Sequence, residues 1–101
     1  DLWFHTQEIP GSHVLLRLDA GQQPADADLH FTADVAAYFS RAQQADQVPV
    51  VFTQPRHVFK PKGALPGMVT YTHETVIWGQ PAKLRDRFEQ NQTPALTLVS
   101  F

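Results

Sequence analysis

One stretch alone, from Phe31 to Ala42, carries apolar residues at helical spacing; every other apolar run is short, rich in β-branched or aromatic residues, and cut off by proline or glycine. A chain patterned in this way has to build a sheet and close it with that one helix. The expected fold class is α+β: a mixed or mainly antiparallel sheet of about six strands, packed by one main helix and one short C-terminal helix.

The runs can be placed in order. Leu2 to Thr6 reads as a strand that stops at Glu8-Ile9-Pro10-Gly11, a strong turn signal. From Ser12 to Leu18 the residues alternate, with Val14, Leu16 and Leu18 on one face and His13, Leu15 and Arg17 on the other. The polar stretch after Asp19 leads to a helix cap at Asp28 or Thr32. In the helix that follows, around residues 32–44, Val35 and Phe39 are expected to be buried and Asp34 exposed. Val48 to Thr53 is a buried-strand run whose Pro49 marks either an edge strand or a turn-side first residue. Arg56 to Lys60 is a short extended segment, and Pro61 to Gly67 is a stiff basic loop with Pro66-Gly67 suited to a type II turn. Met68 to His73 and Thr75 to Gln80 read as two strands of one hairpin turning at His73-Glu74. Pro81 opens a short helix with Leu84 and Phe88 as an apolar pair, ended by Asn91, and Ala95 to Phe101 gives a last β-like run.

At 101 residues the chain is about one domain, with room for one core. An apolar fraction of 43% and no cysteine predict a fold without disulfides or thiolate metal sites, and a cytoplasmic location. No run is long and apolar enough for a membrane span and no signal peptide is evident. The start at Asp1, directly before an aromatic run, suggests a piece of a longer protein. Net charge is −2, and it is unevenly spread: residues 1–48 hold seven acids against Arg17 and Arg41, whereas residues 49–101 hold six bases against Glu74, Asp86 and Glu89. Any basic footprint therefore belongs to the second half.

Catalytic signatures are absent from the sequence. Five histidines occur without HxH or HxxxH spacing, so no metal site is expected; there is no GxSxG elbow, no GxGxxG or GKS element, and no carboxylate pair on a rigid element. The chain is read as a non-enzyme with no cofactor and no small-molecule substrate. What stands out is Arg56-His57-Val58-Phe59-Lys60-Pro61-Lys62-Gly63, where cations alternate with apolar side chains on a stiff loop. Cations of this kind hold phosphates, and aromatic faces stack on bases.

Five blocks in order, Asp1 to His5, Ile9 to Val14, Ala36 to Ala42, Val48 to Thr53 and His57 to Tyr71, resemble the NFACT-R domain, the C-terminal RNA-binding module of RqcH-type proteins, which are also labelled fibronectin- or fibrinogen-binding proteins in bacteria. The resemblance covers residues 1–81 and leaves 82–101 as a C-terminal helix and strand extension. It implies a role in ribosome-associated quality control on stalled large ribosomal subunits, with tRNA or large-subunit rRNA and other domains of the parent protein as partners, and no membrane. It departs from the family where a strand-forming Gly-Arg-Asn stretch would precede Asp1, and at Asp34, where the family more often has alanine. The expected RNA contacts are Arg17, Arg41, Arg56, His57, Lys60 and Lys62, with Trp3, His5, His13 and Phe59 as polar or stacking neighbours. A protein-interaction module that docks on ribosomal protein or on the parent's other domains is the alternative.

Overall fold

The computed structural model describes residues 1–65, 68–84 and 96–99, with residues 98 and 99 described by backbone alone. Among these residues seven strands form two sheets. β1 (Leu2–Thr6), β2 (His13–Leu16), β3 (Val48–Thr53), β6 (Thr75–Gly79) and β7 (Leu96–Val99) make a five-stranded sheet in the order β6-β3-β1-β2-β7, and each neighbouring pair is antiparallel. β4 (Val58–Phe59) and β5 (Thr70–Tyr71) form a separate two-stranded ribbon, entered through a 3-10 turn at Pro55–His57. The fold is α+β, with one main helix, α1 (Asp26–Tyr38), on one face of the large sheet.

Alternation decides which side chains meet the helix. Phe4 of β1, Val14 and Leu16 of β2, and Val48 and Val50 of β3 join Phe31, Ala33, Val35, Ala36 and Ala37 of α1 in a single core, which Leu84 also enters. Leu18 packs beside it, although β2 ends at Leu16 because β1 offers no partner beyond the Leu2–Leu16 pair. The small residues Ala33 and Ala37 let α1 lie close over β6 at Gly79. A methyl group at Gly79 would sit 2.5 Å from the Ala33 carbonyl oxygen and 2.9 Å from the Ala37 methyl.

Several expectations are corrected here. The helix begins at Asp26 rather than at a cap on Asp28 or Thr32, and places Asp26 and Asp28 in its first turn, where the helix dipole favours acids. It ends before Phe39, which is 43% exposed instead of buried. The reason lies in the backbone: the Ser12 amide donates to the Phe39 carbonyl and the Arg41 amide to the Pro10 carbonyl, so the β1–β2 turn uses the groups a longer helix would need. Asp34 is buried, not exposed, because its Oδ1 accepts the Gln80 amide at 2.7 Å and so fastens the segment after β6 to the helix.

β3 is not an edge strand, since β6 and β1 flank it. Pro49 is accommodated near the strand's start, where its carbonyl accepts the Gln7 amide just past the end of β1. In an antiparallel strand a residue's N–H and C=O point to the same side, so the donor that proline lacks falls beyond the ladder. The runs around β5 and β6 turn at His73-Glu74 as expected but do not form a hairpin: β5 pairs with β4, and β6 with β3. The expected Pro66-Gly67 turn, and the expected short C-terminal helix beyond Leu84 with Phe88 and its end at Asn91, lie outside the described residues.

Asp34→Ala is expected to lower stability by about 1.5–3 kcal/mol, the range for a buried hydrogen bond to a charged group, with Asp34→Asn costing less because it keeps an acceptor oxygen. Urea denaturation checks this, and equal midpoints for wild type and Asp34→Ala would contradict the role assigned to the carboxylate.

Candidate nucleic-acid interface

The second face of the sheet carries Trp3 and His5 of β1 and His13 of β2, and the ribbon lies across it. Tyr71 of β5 meets the Trp3 ring at 5.3 Å between centroids, and the Thr53 hydroxyl of β3 donates to the Thr72 carbonyl at 2.9 Å, which ties the ribbon to the sheet. Under this cover Trp3 has no exposed surface; its indole N–H donates to His13 Nδ1 at 3.1 Å, and the His5 and His13 rings stack at 4.4 Å. Trp3 and His13, expected as stacking and polar neighbours of RNA, are therefore buried packing partners with no face open to a base. Sequence alternation placed His13 on the second face of its strand, but could not show that a second layer covers it.

His5 is half-buried, with Nδ1 2.7 Å from the Thr6 carbonyl and Nε2 3.3 Å from the Gly11 carbonyl. Burial holds its pKa below the ordinary 6.5, against the opposing pull of these two carbonyls. Tyr71 is shifted upwards, by desolvation first and then by the nearby charges of Glu74 and Glu8.

The candidate cations separate into two groups. At the end of the sheet where β1 begins, Arg17 is exposed but bound to Asp1, Nε to Oδ2 at 3.2 Å, and reaches the Thr97 hydroxyl at 3.5 Å. Arg56 and His57 lie at this same end, since the 3-10 turn follows Thr53, the partner of Trp3. Arg41 stands at the opposite end, beside Pro10, so the length of β1, about 15 Å for five residues, separates it from Arg17 and Arg56. From Arg56 the chain runs along β4 to Lys60 and Lys62. Arg56, Phe59, Lys60 and Lys62 are all exposed, and among the described residues the three cations have no acidic partner.

One residue escaped the sequence reading. His73 stacks on His57 at 4.1 Å between ring centroids, although sixteen positions separate them in the chain. The only sequence signal was its place in a turn, and His73 adopts a left-handed backbone with φ 59°. The His57 pKa is lowered, by desolvation first, then by the charges of His73 and Arg56. Among the described residues no group of three His, Asp or Glu side chains is placed to hold a metal ion, and no helix is long and apolar enough to cross a membrane.

The chain is thus a small α+β domain with an antiparallel sheet covered by a helix on one side and by a ribbon, flanked by cations, on the other. No family model matches it. It is 44% identical over 81 residues to the Rqc2 homolog RqcH of Bacillus subtilis (strain 168), covering 80% of this chain and 14% of that protein. It is 39% identical over 77 residues to the protein of the same name from Streptococcus pneumoniae serotype 2, covering 76% of this chain and 14% of that one. The solved structure of the C-terminal of the fibronectin/fibrinogen-binding protein from Streptococcus suis superposes with a TM-score of 0.71 at 36% identity, over 84% of this chain and 34% of that one. The chain is a homologue of a segment of the RqcH proteins, and spans about 14% of the length of the curated relatives it matches.

Proposed function

We propose that this domain binds RNA, with tRNA or large-subunit rRNA as the expected ligands, as a non-catalytic module of a cytoplasmic ribosome-associated quality control factor acting on stalled large subunits. The observation that carries the reading is the segment on either side of β4: Arg56, Lys60 and Lys62 are exposed and free of acidic partners among the described residues, on a chain homologous to RqcH. Unpaired cations on a stiff support hold phosphates without first breaking an ion pair, and phosphate contacts supply most sequence-independent affinity. Arg17 is a weaker contact because Asp1 already occupies its guanidinium. Phe59, 52% exposed, is the stacking residue of this surface in place of Trp3.

The test is Lys60→Ala/Lys62→Ala in the whole protein, which is expected to weaken binding to unrelated RNA sequences alike while leaving folding intact. A second reading, docking to protein, is favoured by Val76 and Trp78, which are exposed on β6 at the edge of the large sheet. Binding that survives the double substitution unchanged and resists salt supports that second reading.

A further inference from the structure

Arg56, His57 and His73 converge on one hollow at the end of the sheet, lined also by Gln54 and Thr75. His73 Nδ1 lies 3.0 Å from the Thr72 hydroxyl, while its Nε2 and both ring nitrogens of His57 have no hydrogen-bond partner among the described residues. The left-handed backbone at His73 is one that asparagine or glycine adopts more readily, and it is in this conformation that the imidazole meets His57 face to face. Two rings stacked at 4.1 Å beside a guanidinium repel one another once protonated, and a bound anion relieves that repulsion. Of the carboxylates nearby, Asp1 is paired with Arg17, and Glu74, next to His73 in the chain, forms no ion pair with either ring among the described residues.

We propose that Arg56, His57 and His73 form a phosphate cradle that takes an RNA phosphodiester and grips it more tightly in mildly acidic medium. The choice of RNA as the source of the phosphate rests on the function proposed above; the cradle itself rests on the three side chains. Arg56 supplies a permanent charge and a planar fork of donors. Each imidazole adds a donor, and adds a charge once protonated. The cradle begins the track that continues along β4 to Lys60 and Lys62, so one strand of nucleic acid can engage both. Because the protonated rings bind the anion better, affinity falls as pH rises through their titration, and the lowered pKa of His57 sets its part of that window below pH 6.5.

The test measures binding of a short oligouridine by fluorescence anisotropy at about pH 5.5 and about pH 8, at fixed ionic strength, for the wild type and for His57→Gln/His73→Asn. Asparagine suits the backbone at position 73. Wild type is expected to bind about tenfold more tightly at the lower pH, the factor that corresponds to a bound-state rise of one pK unit in one imidazole, and the double variant to bind no more tightly at the lower pH than at the higher. If both proteins bind with the same pH dependence, the cradle is overturned and the RNA reading stands. If the wild type binds no RNA at either pH, the RNA reading fails, and inorganic phosphate decides the cradle: phosphate that raises the titration midpoints of His57 and His73, followed by NMR, upholds an anion site, and unchanged midpoints overturn it.

Discussion

Trp3→Ala is expected to cost about 3–5 kcal/mol, the range for truncating a buried tryptophan, and so to take away much of the 5–15 kcal/mol that typically holds a domain folded. Trp3 has no exposed surface, its ring packs against His5, His13 and Tyr71, and its indole N–H occupies His13 Nδ1. Alanine would open a cavity between the sheet and the ribbon and take away the donor to His13. Trp3→Phe keeps most of the packing but not the donor, and should fall between the two, at roughly 1–3 kcal/mol for the buried acceptor left unmatched. Urea unfolding of the three proteins orders them. A Trp3→Ala midpoint within experimental error of wild type would contradict the two-layer packing of this face.

Gly79→Ala is expected to be clearly destabilising although it adds a single methyl group. That group would stand 2.5 Å from a backbone carbonyl and 2.9 Å from the Ala37 methyl, and neither is the end of a flexible side chain that could swing away. The helix has to lift from β6, which strains the Asp34 bond to Gln80, one residue along from the substitution. Overpacking of this kind costs about 1–3 kcal/mol, which for a domain of this size lowers the melting temperature by roughly 4–8 °C per kcal/mol. Gly79→Val should be worse, and thermal denaturation followed by circular dichroism measures both. Relief of the Gly79→Ala defect by Ala37→Gly in the same chain would locate the clash at this crossing.

Much of the fold was legible because strands with one face in a core announce themselves by alternation. β1 and β3 fall on the runs read from the sequence, and β2 was overextended by Ser12 at its start and past its last partner at its end. Periodicity identifies a strand, though, and says little about its neighbour: the runs on either side of His73 part into two sheets because Thr53 captures the backbone between them. The helix was harder to delimit, since residues 31–37 are all buried and no polar stripe marks an outer face. Asp34 looked solvent-facing because the amide that satisfies it lies 46 residues away. The basic ribbon was visible as a local motif. The His57–His73 pair was not, because its two rings are brought together only by the turn into β6.

The salt dependence of RNA affinity tests the central claim most directly. Each phosphate contact contributes roughly 0.7–0.9 to the slope of log affinity against log salt, so Lys60→Ala/Lys62→Ala is expected to lower that slope by about one to two units. Stability should change by no more than about 0.5 kcal/mol, as for most exposed substitutions. Binding measured at several salt concentrations for both proteins, with folding confirmed by circular dichroism, gives the answer. A slope reduced by one to two units in a folded variant is the result predicted for a ribbon that holds the RNA backbone, and identical slopes and affinities in two folded proteins would contradict it.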